Sequence, residues 1–302
     1  MISAKNVTMM FDKTAALNNL SCNISKGCIY GLVGSNGAGK STFLRLISGI
    51  YRPASGEITI EGEKVYDNPA IKSRIAFVPD DLFFLHGAKM SDMADWYAAV
   101  YKNFNSERFY KLLTTFNLPS DKNINKFSKG MKRQGATILA LSTMPDYLFF
   151  DETFDGLDPV MRNLVKQVIY TDVAERNTTV IITSHSLREL EDTCDQLALL
   201  HKGGIVFESD IQNLKTSLFK VQIGFQEPFT QEKFKNIEGM EILSYTSQGS
   251  VASFIVRGER EEVKEKLYNM NPLLLDVLPL NLEEVFVYEM EALGYAFKDL
   301  LM

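Results

Sequence analysis

The stretch that most constrains this chain is Gly34-Ser35-Asn36-Gly37-Ala38-Gly39-Lys40-Ser41, which fits the spacing Gly-x4-Gly-Lys-Ser of a phosphate-binding loop. A polyphosphate needs many donors and little bulk, and the three glycines let the backbone form a nest of N–H groups around the anion. Lys40 supplies a point charge for the β- and γ-phosphates, and Ser41 offers its hydroxyl to Mg2+. A helix starting at the end of the loop adds roughly half a positive charge at its N-terminus, where Thr42 lies. The flanks agree: Cys28 to Val33 reads as a buried strand and Thr42 to Ile47 as a helix. A chance glycine-rich turn would need neither.

At 302 residues the chain has room for a core domain plus a smaller one. Its 45% hydrophobic and 23% charged content is that of a folded globular protein. A net charge of -6 argues against a nucleic-acid backbone as partner, since that contact needs clustered Lys and Arg. No apolar run approaches the ~20 residues of a membrane span, and the first residues lack a signal-peptide pattern, so a cytoplasmic location is expected. Cys22, Cys28 and Cys194 have no metal-ligand spacing and read as small core residues in a reducing compartment.

Residues 2–9, 19–25 and 56–62 read as short strands that predict an antiparallel layer beside the loop. Phe11, in a connection between the first two, is open to two readings: a ring that stacks on a purine, or a core side chain. Ile75 to Pro79 predicts a strand ending at Asp80-Asp81, where carboxylates are candidates for Mg2+ or water contacts. From Met93 to Phe104 apolar residues recur at helical spacing, and the aromatic stripe is expected in the core. Leu82 to Leu85 is an apolar run in a connection, a candidate for docking a partner.

Ser128 is placed to cap a second helix. With Lys129 and Gly130 that helix start can receive an anion, or simply be a capped helix with a solvated lysine. Tyr147 to Phe150 predicts a strand buried on both faces, carrying Asp151 and Glu152 at its carboxyl end, where parallel sheets do chemistry. Asp151 is placed to orient Mg2+ through Ser41, and Glu152 to polarise a water attacking the γ-phosphate. Thr178 to Thr183 is a further buried strand, with His185 just beyond it and Ser186 to Glu189 matching a capping box. That position makes His185 a candidate γ-phosphate contact.

Near residue 210 the pattern changes. Strands at 219–225, 240–247, 250–257 and 273–279 alternate with helices at about 229–237 and 259–270, the βαββαβ order of a ferredoxin-like sandwich. A last helix follows from Asn281, and nothing in this C-terminal third points to chemistry.

Taken together, the first two thirds resemble the ATP-binding subunit of an ABC transporter. Gly34 to Thr42 matches the Walker A loop, Leu148 to Asp151 the Walker B strand, and Glu152 the adjoining catalytic glutamate. Gly156-Leu157-Asp158 resembles the D-loop, His185 the switch histidine, and Phe11 the aromatic that stacks on adenine. Phe127 to Met131 stands where the family has Leu-Ser-Gly-Gly-Gln.

The resemblance implies an α/β P-loop nucleotide hydrolase with a mainly parallel core sheet, an antiparallel β subdomain and a helical subdomain at about 82–145. Residues 1–210 would form this ATP-binding domain and 211–302 a small α+β accessory domain. It also implies ATP and Mg2+ as ligands, a second copy of the subunit, and a separate membrane permease that holds the chain at the inner face of the membrane. In that family two subunits close head to tail, so Ser128, Lys129 and Gly130 of one copy would face the nucleotide held by Lys40 of the other. The chain departs from the pattern at Phe127, Lys129 and Met131 of the signature and at Thr153-Phe154-Asp155. It also has Asp80 at the Q-loop position, where a carboxylate accepts but cannot donate as an amide does. Two other functions fit the sequence less well: a soluble ATPase acting on nucleic acid or the ribosome, disfavoured by the acidic charge, and a regulatory module that binds ATP without hydrolysis, disfavoured by Glu152 and His185.

Overall fold

The computed structural model describes residues 1–154, 156–234 and 237–292. Its first strands, β1 (Ile2–Phe11) and β2 (Thr14–Ile24), form a hairpin. Phe11 therefore ends a strand, and the connection shrinks to Asp12-Lys13, with Asp12 at a φ of 50°. Next come β3 (Ile29–Val33), α1 (Lys40–Ile47), β4 (Ser55–Ile60), β5 (Glu63–Lys64), α2 (Pro69–Lys72) and β6 (Ile75–Val78). Three helices follow, α3 (Met90–Val100), α4 (Ser106–Thr115) and α5 (Lys129–Ser142). The chain continues through β7 (Tyr147–Asp151), α6 (Pro159–Arg176), β8 (Thr179–Ser184), α7 (Leu187–Glu191), β9 (Gln196–His201) and β10 (Gly204–Asp210).

Every residue of β3, β7 and β8 is buried, the signature of strands covered on both faces. They lie side by side in a six-stranded sheet of order β10-β9-β3-β8-β7-β6, in which β6, β7, β8, β3 and β9 run parallel. Register then fixes the site. Val33 pairs with Ser184 and Asp151 with Thr183, so the loop after β3 and the acidic end of β7 emerge at one edge.

The antiparallel layer has the order β2-β1-β4-β5 and shares its core with α1 and the parallel sheet. Leu17, Leu20, Ile2, Ile58 and Ile60 pack there with Phe43, Leu44 and Ile47 of α1, each burial worth about 1.5–3 kcal/mol. Cys22, Cys28 and Cys194 are buried free thiols, and burial pushes Cys22 up to about 12 and Cys28 up to about 11.

The helical segment departs from expectation. Of the apolar stripe from Met93 to Phe104, only Met93 is buried, while Trp96 and Val100 are exposed. The helix ends at Val100, so Tyr101 and Phe104 leave its face, and Tyr97 stacks on Tyr101 instead of entering the core. The contact with α5 is made one turn earlier, where Met90 packs so closely on Gly135 that a Cβ there would sit 2.9 Å from its sulfur.

The chain divides into two compact units, Met1–Glu208 and Ser209–Met302. The second contains α8 (Ile211–Ser217), β11 (Leu218–Gly224), β12 (Met240–Gln248), β13 (Val251–Gly258), α9 (Arg260–Tyr268), β14 (Leu274–Pro279) and α10 (Leu282–Ala292). Its four strands form an antiparallel sheet of order β12-β13-β11-β14 over a core of Phe219, Val221, Phe234, Phe254 and Val263. The helix expected at 229–237 is only a 3-10 turn at Gln231–Phe234, followed by residues 235 and 236, which lie outside the described set. Among the described residues no helix is long and apolar enough to cross a membrane.

Candidate functional site: a phosphate loop at the carboxyl edge of the parallel sheet

The loop between β3 and α1 turns on two glycines at positive φ, 81° at Gly37 and 112° at Gly39. Neither angle suits an L side chain, and a Cβ on Gly39 would also meet the Ala16 carbonyl at 2.5 Å. Gly34 is needed for space instead, since its Cβ would fall 2.4 Å from the Leu200 carbonyl. The loop borders a cleft of about 340 Å3 whose lining includes Gly37, Lys40, Ser41, Asp80, Glu152 and His185. Ser35, Asn36, Gly39 and Thr42 line it as well, while Ala38 points into the core.

Lys40 is 5% exposed, and its ammonium is fixed from several sides. Nζ donates to the carbonyls of Gly34 and Ser35, at 2.6 and 3.3 Å, and lies 3.1 Å from Oε1 of Glu152. The other carboxylate oxygen of Glu152 is 2.9 Å from Nδ1 of His185. One carboxylate therefore joins the loop lysine to the histidine beyond β8.

Glu152 itself adopts the left-handed region, with φ 50°, which costs a non-glycine residue about 1–3 kcal/mol. Side chains hold both of its backbone groups: its N–H donates to Thr183 Oγ1 at 3.1 Å, and its carbonyl accepts from Arg133 at 2.9 Å. Thr183 Oγ1 also donates to Asp151 Oδ1 at 2.8 Å, and Ser41 Oγ donates to the same oxygen at 3.0 Å. Oδ2 of the fully buried Asp151 has no hydrogen-bond partner. A buried carboxylate oxygen without a donor, beside a serine hydroxyl and a phosphate loop, has the hard-oxygen chemistry that suits Mg2+. Ser41 and Asp151 thus fit that ion.

Asp80 also lines the cleft, but its Oδ1 accepts from Arg133 at 2.5 Å, which leaves at most one oxygen for a metal or its water. Arg133 was not singled out by sequence reasoning, because its two partners lie 53 and 19 residues away and no local pattern announces them.

The capping box expected at Ser186 does not form, and Ser186 makes no side-chain cap. Glu189 instead accepts from Ser184 Oγ at 2.7 Å and pairs with Arg162 at 3.3 Å. Ser184 Oγ takes the Ser186 N–H in turn, so His185 is held in a turn pinned by Ser184.

The remaining sequence candidates lie outside the cleft lining. Phe11 is 44% exposed and meets Tyr51 edge to face, and it pairs across the hairpin with Thr14, near Ala16, which does line the cleft. Ser128 caps α5 by accepting from the Met131 N–H at 3.2 Å. Ser128 and Lys129 are exposed, and Gly130 approaches the Gly156 carbonyl, 3.2 Å from where a Cβ would stand. Asp158 caps α6, while Asp155 of the departing run Thr153-Phe154-Asp155 is outside the described residues.

A family model described as ABC transporter matches residues 17–155. The ABC transporter ATP-binding protein YtrB of Bacillus subtilis (strain 168) is 30% identical over 287 residues, covering 95% of this chain and 97% of that protein. The bacitracin transport ATP-binding protein BcrA of Bacillus licheniformis is 31% identical over 217 residues, 71% of each chain. Among solved structures, an ATP-binding subunit of an ABC transporter gives a TM-score of 0.66 at 23% identity, covering 71% of this chain and 92% of its own. A dimeric ATP-binding cassette in a post-hydrolysis state with ADP and Pi gives 0.64 at 23%, covering 70% and 99%, and supports the same fold. Because the match to YtrB runs nearly end to end and the loop, the acidic strand end and the histidine share one cleft, the chain belongs to the ATP-binding subunits of ABC transporters.

Proposed function

We propose that this ATP-binding subunit hydrolyses ATP at the cleft beside β3, β7 and β8, with Glu152 as the base, and thereby drives a separate membrane permease. The observation that carries the assignment is the position of the Glu152 carboxylate, 3.1 Å from Lys40 and 2.9 Å from His185. Backbone N–H groups of Gly34 to Gly39, with Lys40, would bind the β- and γ-phosphates. Glu152 would take the proton of the attacking water, and His185 would hold that carboxylate and contact the γ-phosphate. Ser41 and Asp151 would hold Mg2+, with Asp80 reaching at most its water. When bound, Mg2+ neutralises charge on the β- and γ-oxygens.

Phe11 would stack on adenine, which its exposure and its place on the hairpin beside Ala16 support. Ser128, Lys129 and Gly130 would serve the nucleotide of a second copy, a role supported by the exposure of Ser128 and Lys129 and by the position of all three outside the lining of their own cleft. Two copies closing head to tail therefore make a homodimer. Residues 1–210 act as the ATPase, with the helical subdomain at about 82–145, and 211–302 as an accessory domain. The permease would seat on Leu82 to Leu85, where Phe83 is 74% exposed, placing the subunit at the cytoplasmic face of the membrane. With a net charge of -6, nucleic acid is not a partner.

Phosphate release by the full-length chain with its permease tests this reading, with dimerisation followed in parallel. The expected result is Mg2+-dependent turnover and an ATP-dependent dimer that Ser128→Arg prevents. Absence of phosphate release in the assembled transporter would overturn it.

A further inference from the structure

Arg133 is the largest side chain that the described residues bury fully, 1% exposed on α5, just over one turn past Ser128. Taking a guanidinium out of water is expensive, so such a group persists where its fork is held by acceptors. Here one nitrogen donates to Asp80 Oδ1 at 2.5 Å and the other to the Glu152 carbonyl at 2.9 Å. Nε is buried without a hydrogen-bond partner. The side chain is thus used as a bridge between two elements of the cleft wall, at the expense of full satisfaction of its own donors.

What the bridge holds is the backbone of a residue in an unfavourable conformation. Glu152 stands at φ 50°, with Thr183 gripping its N–H and Arg133 its carbonyl. The direction of the Glu152 carboxylate follows from that peptide geometry. We propose that Arg133 is a positioning residue for ATP hydrolysis: its guanidinium fixes the Glu152 carbonyl, and Asp80, just beyond the neighbouring strand β6, anchors the guanidinium. The proposal rests on the reading of Glu152 as the base. Asp80 at the Q-loop position then has a structural partner in Arg133, one that a carboxylate serves and a glutamine amide would serve less well, since the charge-assisted bond is the stronger.

The test compares Arg133→Lys and Asp80→Asn in the parent and in the Glu152→Gln background, using the full chain with its permease and reading kcat, KM for ATP and thermal melting. Arg133→Lys keeps a buried cation but loses the fork that spans two oxygens. Asp80→Asn leaves Arg133 in place and changes only a half-exposed group, so it folds even if the other variant does not. A misplacement of about 1 Å costs roughly 10^2-fold in rate. We expect Arg133→Lys to lower kcat by up to about that factor and Asp80→Asn by about tenfold, with KM within about twofold. Neither should lower the residual rate further once Glu152 is Gln, because both act through it.

Equal losses in both backgrounds, or a raised KM with unchanged kcat, would overturn the proposal. So would an Asp80→Asn defect that disappears at raised Mg2+, which would assign Asp80 to the metal. A Glu152→Gln protein with parental turnover would instead remove the base assignment itself, a separate observation from the response of Arg133.

Discussion

Nζ of Lys40 lies 3.1 Å from Oε1 of Glu152, with the two side chains 5% and 15% exposed. The cation for the phosphates and the proposed base thus stabilise each other in a part of the cleft with little solvent. In the proposed reaction their pairing would set the distance between the place where a γ-phosphate would bind and the group that would activate water. Lys40→Ala removes one partner and leaves the other partly buried without its cation. ATP affinity should fall at least about tenfold, equivalent to about 1.4 kcal/mol. A nucleotide titration that finds parental affinity would take Lys40 out of the phosphate site.

Ser41 and Thr183 donate to one oxygen of Asp151 and leave the other without a donor. Asp151→Asn keeps the shape but replaces an acceptor by an amide nitrogen or a neutral oxygen. The Mg2+ concentration for half-maximal phosphate release should rise by about tenfold or more, because the ion loses a charged ligand. An unchanged Mg2+ dependence would exclude Asp151 as a ligand.

Gly39 combines a φ of 112° with an approach of 2.5 Å between its Cβ position and the Ala16 carbonyl. Gly39→Ala should therefore displace the loop or the β1–β2 hairpin, abolishing ATP binding and lowering the melting temperature. By contrast, a Cβ on Gly37 would meet nothing within 4 Å, so Gly37→Asn, a residue that tolerates positive φ, should cost much less. Comparable behaviour of the two variants in melting and nucleotide titration would contradict this distinction.

Away from the cleft, Arg74 and Lys26 each lie 2.9 Å from the carboxylate of Glu61. The hydrogen bond from Arg74, followed by that from Lys26, lowers its pKa from 4.5 to about 2. A depressed carboxylate stabilises the fold above its unfolded pKa and loses that contribution as pH falls through the folded one. Glu61→Gln should thus reduce stability against urea at pH 7, and the gap to the parent should narrow between about pH 4.5 and 2. A gap independent of pH would rule out the pairing as its source.

The legible parts of the site were those with local causes. Gly34 to Ser41 announces a turn between strand and helix through its spacing, and fully apolar strands that end in Asp151-Glu152 or lead to His185 announce their burial and the edge at which those residues emerge. Parallel register then brings these ends together with no further information. Arg133 was hidden because its meaning depends on Asp80 and Glu152, brought to it only by tertiary packing. The Ser186 capping box failed for a related reason: Glu189 is bound by Ser184 and Arg162, which compete for the carboxylate the box requires. The aromatic stripe misled because helical periodicity persists in the sequence beyond Val100, where the helix itself stops. In the second unit the strand order emerges from the pattern, but the helix expected at 229–237 yields to a 3-10 turn whose Phe234 serves the sheet core.

The central claim concerns Glu152, and Glu152→Gln tests it most directly because the amide preserves size and one acceptor oxygen while removing the base. ATP affinity and ATP-dependent dimerisation should be retained, while phosphate release per bound ATP falls by about 10^2 to 10^4-fold. Phosphate release at the parental rate from a protein that still binds ATP would contradict the account.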